Sequence, residues 1–137
     1  MTNSALARSY FEKAKVRLTI LDVLIEKRAY SDVVREAQEV VEPALKAMLR
    51  QAGIEPPKFH DVGGFLLENR ERFSGEVKKS LQRLSEISSW LRKEREFAFY
   101  GDIDFIPTEK YSEKDASHAI EDAGFTVKIA EKVVRAI

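Results

Sequence analysis

The sequence contains no cysteine among its 137 residues. Disulfide bonds and cysteine-based zinc sites are therefore excluded, and a reducing compartment is allowed. The chain also lacks an uninterrupted apolar run of about 18 residues, so no segment is expected to span a membrane. The N-terminal stretch MTNSALARSYFEKAK has no apolar core of the kind that signal peptides carry. These absences predict a soluble, cytoplasmic protein.

Neither sign of charge is in excess, because 23 Lys and Arg residues balance 23 Asp and Glu residues. The net charge therefore predicts neither nucleic-acid nor membrane binding, and any such partner would have to be held by a local patch. Apolar residues make up 44% of the chain and charged residues 34%, which is typical of a soluble, ordered, helix-rich protein. The length fits one domain that covers residues 1–137.

Known catalytic and metal-binding motifs are scarce. There is no phosphate-cradling glycine motif and no Gly-x-Ser-x-Gly elbow. The two histidines, His60 and His118, are interpreted as structural or exposed, and a catalytic role for either stays open as the less favoured alternative. Asp115 and His118 supply only one half of the carboxylate-bridged metal motif found in helical bundles. No metal and no cofactor is therefore expected.

Apolar residues recur at steps of three and four in four long segments, which predicts four long helices. No segment alternates with a period of two residues over a convincing length, so strands are not expected. The prediction is an all-α, up-and-down four-helix bundle with an additional short helix. The predicted helices cover about residues 4–27, 32–52, 62–72, 76–100 and the stretch from Ser112 onward.

Local signals indicate where these helices begin and bend. Ser31 or Asp32 can cap the second helix by accepting hydrogen bonds from its free N–H groups. Ser112 and Asp115 resemble a capping box at the start of the last helix. Pro43 lies inside the second helix, where it removes one donor and crowds the preceding turn, so a kink is expected there. The charged run REAQEVVEPALKAMLR in the same helix is interpreted as a solvated face.

Arg95 occupies a position in the apolar stripe of the fourth predicted helix, about residues 76–100. Burying an isolated charge is costly, so Arg95 must pair with a carboxylate, reach solvent at the end of the bundle or line a polar cleft. The residues alone leave two interpretations open. One is a salt bridge to Glu36 or Glu39 of the second helix, and the other is an anion-binding site, since a guanidinium suits phosphate. The stripe reads Val77, Leu81, Leu84, Ser88, Leu91, Arg95 and Ala98.

The end of this helix, RKEREFAFYGD, gathers further polar groups around Arg95. Arg92 and Glu96 are helix-surface neighbours four residues apart. Tyr100 comes at the end of the helix, where its hydroxyl can swing towards the same region. Asp102 follows a glycine that permits a sharp turn. The candidate site therefore comprises Arg92, Arg95, Glu96, Tyr100 and Asp102.

Three stretches resemble the HEPN-domain family of small helical bundles, named for higher eukaryotic and prokaryotic nucleotide-binding domains. They are VVREAQEVVEPALKAMLRQAGIEPPKFHDV, RKEREFAFYGD and YSEKDASHAIEDAGFTVKIAEKVV, and they follow the family's order over nearly the whole chain. The resemblance implies a nucleotide- or RNA-binding homodimer that works beside a nucleotidyltransferase partner in a toxin–antitoxin pair. Many members are metal-independent ribonucleases, in which an arginine holds the scissile phosphate and a histidine four to six residues later assists proton transfer.

The sequence has the arginine of this motif but not its histidine. Four residues separate Arg95 from Tyr100, so the histidine position holds a phenol, a hydrogen-bond donor that makes a poor general base at neutral pH. The resemblance therefore implies catalytic roles for Arg95 and Tyr100 in a toxin-type ribonuclease or in a degenerate relative. Two alternatives stay open. Tyr100 could receive AMP from the nucleotidyltransferase, or the chain could be a non-catalytic adaptor that only holds a partner protein.

Overall fold

The computed structural model of the protein describes residues 3–58 and 61–135. These residues form an all-α assembly of seven α-helices and one 3-10 helix, Arg70–Arg72, with no strand among them, and the predicted fold class is confirmed. None of the described helices combines the length and the apolar character needed to cross a membrane. The α-helices are α1 (Asn3–Glu26), α2 (Tyr30–Gln51), α3 (Val62–Glu68), α4 (Gly75–Lys78), α5 (Leu81–Phe99), α6 (Pro107–Lys110) and α7 (Glu113–Val134).

Helix α2 lies at the centre of the bundle, because it packs against α1, α5 and α7. Its apolar residues are buried on several sides rather than along one stripe. Each fully buried Leu or Met side chain contributes roughly 1.5–3 kcal/mol through removal of its apolar surface from water. The side-by-side packing of α2 and α5 also places the polar residues of both helices next to each other. The buried apolar residues of α2 are Val33, Val34, Ala37, Val40, Val41, Ala44, Leu45, Ala47, Met48 and Leu49.

The predicted caps of the second helix were wrong. Helix α2 begins at Tyr30, its N-cap residue is Ala29, and no side chain caps it, so Ser31 and Asp32 lie inside its first turn. The reason is the turn before it, where Arg28 takes the left-handed backbone conformation with a φ of 59°. The chain therefore reverses direction and enters the helix two residues before the expected position. The kink at Pro43 stays a prediction, since α2 is one element from end to end.

The fourth predicted helix, about residues 76–100, is two helices, α4 and α5. Lys79 and Ser80 form a turn between them. Ser80 N donates to Val77 O across 2.9 Å, and this hydrogen bond of the 3-10 type, between residues three apart, ends α4. The short third helix is also divided, because α3 ends before the 3-10 helix. The predicted stripe is nevertheless buried from Val77 to Ala98, except at Arg95, which is exposed.

Gly63 allows α3 to lie directly on α5. A Cβ atom at Gly63 would be 2.8 Å from Ser85 Cα and 2.9 Å from Ser88 Cβ. Asp61 caps α3 by accepting from Gly63 N at 3.1 Å, and it also accepts from Ser88 Oγ at 3.3 Å. Asp61 is therefore fixed beside α5, where Arg92 Nη1 lies 3.6 Å from its carboxylate.

Helix α7 begins as predicted. Ser112 Oγ accepts from Asp115 N at 3.2 Å, and the Asp115 carboxylate accepts from Ser112 N at 2.8 Å, so the capping box is confirmed. Small residues along its inner face let α7 approach α2 closely. Six small or apolar residues of that face are buried: Ala116, Ala119, Ala123, Val127, Ala130 and Val134.

Candidate functional site

An open cleft of about 520 Å³ lies between α2 and the C-terminal end of α5. The α2 residues of the cleft are spaced by three and four positions, which puts their side chains on one face of the helix. The α5 residues lie within its last two turns and at the residue that follows. The cleft is lined by Arg35, Gln38, Glu42, Arg92, Arg95, Glu96 and Tyr100.

Arg95 both pairs with a carboxylate and reaches the cleft. Its side chain is 52% exposed, and its Nε lies 3.0 Å from Glu39 Oε1. Of the two carboxylates expected from the sequence, Glu39 is the partner, whereas Glu36 pairs with Arg35 at 2.7 Å. The Glu39 contact uses one of the five N–H donors of a guanidinium. The salt bridge therefore does not seal Arg95 away from a ligand.

Two further guanidinium groups face the cleft, from Arg35 and Arg92. The Arg35 guanidinium lies 4.5 Å from the centroid of the Phe99 ring, a cation–π contact that ties the start of α2 to the end of α5. The charged run of α2 was interpreted as a solvated face, so Arg35, Gln38 and Glu42 were missed. Their common spacing was readable from the sequence, but the rotation of α2 that faces them towards α5 was not.

The charges of the residues that line the cleft are nearly balanced. Three arginines and two carboxylates, Glu42 and Glu96, line the cleft. Each arginine also pairs with a carboxylate that does not line the cleft, from Glu36, Glu39 or Asp61. Ion pairs between exposed side chains are worth roughly 0–1 kcal/mol each. An entering phosphate can therefore exchange these weak pairs for charge-assisted, bidentate hydrogen bonds.

Comparison with known proteins places the chain in a family. The HEPN-domain family model matches residues 7–134. The chain belongs to the HEPN family. A protein of Methanocaldococcus jannaschii named "Putative toxin MJ1304" is 21% identical to this HEPN chain over 140 residues, an alignment that covers 97% of this chain and 91% of that protein. No solved structure matches the chain significantly.

The cleft of this HEPN protein brings together four of the five site residues expected from the sequence: Arg92, Arg95, Glu96 and Tyr100. Tyr100 is highly exposed, with 74% of its surface accessible. Because it follows the last residue of α5, its ring is not held inside the bundle. The four side chains therefore surround one space that a ligand can enter, and their roles there remain predictions.

Asp102, the fifth expected residue, does not line the cleft. Asp102 N donates to Phe105 O and Phe105 N donates to Asp102 O, each across 2.9 Å. Its carboxylate accepts from Ile103 N at 2.7 Å. The preceding Gly101 has a φ of 67°, the left-handed conformation that glycine adopts without strain. In this HEPN chain Asp102 therefore closes the tight loop that follows Tyr100.

His118 lies outside the cleft, in a cluster that fastens α7 to α5. Its ring stacks on Trp90 with the centroids 4.8 Å apart, and its Nε2 lies 3.1 Å from Asp122 Oδ2. The same buried carboxylate accepts from Trp90 Nε1 at 2.9 Å. These contacts fit the structural interpretation of His118, whereas His60 lies outside the described residues. Among those residues no group of three or more His, Cys, Asp or Glu side chains could hold a metal ion.

Proposed function

We propose that this HEPN protein binds nucleotide or RNA in the Arg95 cleft, as the toxin-type subunit of a toxin–antitoxin pair whose other member is a nucleotidyltransferase. The observation that carries the proposal is the convergence of Arg35, Arg92 and Arg95 on one open cleft. Guanidinium groups bind phosphate oxygens through paired, charge-assisted hydrogen bonds. The toxin role is supported by the family and by the name of the relative from Methanocaldococcus jannaschii.

In this proposal Arg95 holds the scissile phosphate and Tyr100 takes the position of the family histidine. A phenol can donate a hydrogen bond to a phosphate or leaving oxygen, but it is a poor proton acceptor at neutral pH. Tyr100 therefore replaces only the donor half of the acid–base work that a histidine performs. We expect slow, metal-independent cleavage of RNA, or binding without cleavage.

The proposal includes a homodimer in which two copies of the cleft lie close together. It is supported by a group of large, exposed apolar side chains at the end of α5 and in the following loop. Ile103 is 91% exposed, and apolar groups of this size rarely cluster on the surface of a monomer. Sedimentation equilibrium of the parent and of Ile103→Asp tests the dimer. The exposed side chains are Phe97, Phe99, Tyr100, Ile103 and Ile106.

Cleavage of a defined, end-labelled RNA in the presence of EDTA tests the function. The parent is compared with Arg95→Ala, with Tyr100→Phe and with Arg8→Ala, a matched control that removes an exposed arginine of α1 outside the cleft. Cleavage that disappears with Arg95→Ala but not with Arg8→Ala supports the ribonuclease. A further loss with Tyr100→Phe assigns the phenol a part in catalysis. Equal binding and cleavage by the parent and Arg95→Ala would contradict the proposal.

A non-catalytic adaptor is the second candidate, and the Arg95–Glu39 salt bridge within one chain favours it. In that case Arg95 stabilises the bundle and has no ligand. If the chain is an adaptor, we expect neither RNA binding nor cleavage, and we expect the partner protein to bind the Arg95→Ala variant as it binds the parent.

The remaining alternative is that exposed Tyr100 receives AMP. Mass spectrometry after incubation with the nucleotidyltransferase and ATP tests this alternative. Tyr100→Phe is its control.

A further inference from the structure

Gln38 is the buried polar residue of the cleft. It lines the cleft wall on α2, yet only 2% of its surface is accessible. Within the part of the chain that the structure describes, its Oε1 is buried and has no hydrogen-bond partner. Buried polar atoms in folded proteins nearly always have a partner, because an unpaired one loses its hydration without compensation. The Gln38 side chain thus brings to the cleft wall an oxygen that no described residue satisfies.

The neighbours of Gln38 on the same face of α2 already have charged partners. Arg35, one turn before it, pairs with Glu36 at 2.7 Å. Glu42, one turn after it, lies 3.5 Å from Lys46 Nζ. Gln38 therefore stands between two charged groups that are already paired, as a neutral amide facing the same cleft.

The chemistry of an amide indicates what kind of ligand group would satisfy the hydrogen-bonding groups of Gln38. The terminal torsion of a Gln side chain is broad and roughly two-fold, so either the oxygen or the NH₂ group can turn towards the cleft at low cost. A carboxamide pairs well with a group that presents a donor beside an acceptor, as Gln does with the N6 and N7 atoms of adenine. Phosphate offers acceptors only, and the arginines already serve that need.

We propose that Gln38 reads the base of a nucleotide whose phosphate is held by Arg95, and that it favours a base with adjacent donor and acceptor groups, such as adenine. This inference rests on the proposed function, because it requires a nucleotide in the cleft. The cleft volume of about 520 Å³ lies within the range of roughly 300–1,000 Å³ that is usual for small-ligand pockets. The cleft can therefore hold a phosphate and a base together.

Isothermal titration calorimetry with AMP and with ribose 5-phosphate tests the inference, since the two ligands differ by the base. We expect the parent to bind AMP about tenfold more tightly, in line with one bidentate amide–base pair. Gln38→Met keeps the length of the side chain and removes the amide. In this variant the affinity for AMP should fall to that for ribose 5-phosphate, whose own affinity should not change.

Gln51→Met is the matched control. Gln51 lies on the same helix and also has a buried side-chain oxygen with no partner among the described residues, but it does not line the cleft. Its substitution should leave both affinities unchanged. Thermal unfolding separates a ligand-binding role of Gln38 from a structural one. Gln38→Met should unfold at the parent's temperature or above it, because the variant removes an unpaired buried acceptor, whereas a structural role would lower that temperature.

The outcomes distinguish this inference from the proposed function. If Arg95→Ala abolishes binding of both ligands but Gln38→Met keeps the preference for AMP, base reading by Gln38 is overturned and the phosphate site stands. Equal affinities of the parent for AMP and ribose 5-phosphate overturn the inference in the same way. If the parent binds neither ligand, or Arg95→Ala binds both as tightly as the parent does, the nucleotide cleft itself is overturned, and the inference with it.

Discussion

The Nε atom of Arg95 lies 3.0 Å from Oε1 of Glu39, across the contact between α5 and α2. Glu39 does not line the Arg95 cleft but borders the adjoining groove, together with Lys13, Arg17 and Lys46. Glu39 therefore contacts the guanidinium at its Nε atom without lining the cleft itself. We interpret Glu39 as a residue that orients Arg95, so that the other N–H groups of the guanidinium face the cleft.

Substitution of Glu39 tests this orientation. Glu39→Gln keeps a hydrogen-bond acceptor and should bind a phosphate ligand such as AMP about as tightly as the parent. Glu39→Ala removes the acceptor and should weaken binding a few-fold, because the Arg95 side chain then has more rotamers to lose on binding. Titration calorimetry measures both, with Glu26→Ala as the control for loss of a negative charge elsewhere. Tighter binding by both Glu39 variants would mean instead that Glu39 competes with the ligand for Arg95.

The close contact between α3 and α5 predicts a large effect of one methyl group. Gly63→Ala places a Cβ atom 2.8 Å from Ser85 Cα, and overpacking of this kind costs about 1–3 kcal/mol. Urea denaturation should show that loss in the free energy of unfolding. Gly124→Ala in α7 is the control, since its Cβ would meet no atom of the described residues within 4 Å, apart from its chain neighbours and the backbone of its own helix. Gly124→Ala should raise stability by roughly 0.5–1 kcal/mol through helix propensity, and equal effects of the two variants would contradict the contact.

Much of the fold could be predicted because its signals are local. The spacing of small residues in α7 and the Ser112–Asp115 capping box depend on residues within one or two helical turns of each other. The prediction was wrong where a turn changed the course of the chain in a way that these local signals do not show. Arg28 takes a left-handed conformation, and α2 begins before the expected caps. The turn at Ser80 divides the stripe between Val77 and Leu81, where the apolar period continues without a break, so periodicity alone could not reveal the turn.

The candidate site could be predicted only in part. Arg95 was identifiable because a charge interrupted an apolar stripe, and its expected pairing with Glu36 or Glu39 is confirmed for Glu39. Arg35 gave no such signal, since it lies in a run of charges that is equally typical of a solvated face. Its place in the cleft depends on how α2 is rotated against α5. That rotation is set by the whole buried surface of α2 rather than by any short motif.

The geometry of the tight loop after Tyr100 predicts that replacing Gly101 lowers the stability of the protein for two separate reasons. Gly101→Ala forces a side chain into a backbone with a φ of 67°, at about 1–2 kcal/mol. Its Cβ would also overlap the carbonyl oxygen of Phe105 and lie 2.6 Å from Pro107 Cδ. Gly53→Ala is the control, because φ is 78° there and the nearest atom, Arg72 Nη2, is 3.7 Å from the new Cβ.

Thermal unfolding should therefore show a larger loss of stability for Gly101→Ala than for Gly53→Ala, and the difference reports the contact with Phe105. Because the loop begins at Tyr100, Gly101→Ala should also weaken RNA binding, whereas Gly53→Ala should not. Equal losses of stability in the two variants would show that only the backbone conformation matters. An intact loop with unchanged RNA binding would show that the position of Tyr100 does not depend on Gly101.

Tyr111 predicts a specific loss of stability at alkaline pH. Its hydroxyl donates to Glu94 Oε1 at 2.9 Å and so joins the segment before α7 to α5. Burial of the phenol, followed by its hydrogen bond to Glu94 and the charge of that carboxylate, raises the pKa of Tyr111 well above its usual range. The folded protein therefore keeps this proton at a pH where the unfolded chain has released it.

The direction of the pH dependence follows from that difference. An unfolded tyrosine releases its proton near pH 10, so above about pH 10 the folded state binds more protons than the unfolded state does, and stability falls as the pH rises. Below this pH the contribution of Tyr111 is fully present. Tyr111→Phe lacks the hydroxyl, so it should be less stable than the parent at neutral pH and should lose less stability between about pH 10 and 11. Urea denaturation across this range measures how the free energy of unfolding of the parent and of Tyr111→Phe depends on pH, with Tyr30→Phe as the control. The same pH dependence in the parent and Tyr111→Phe would show that the Tyr111–Glu94 hydrogen bond does not hold the proton.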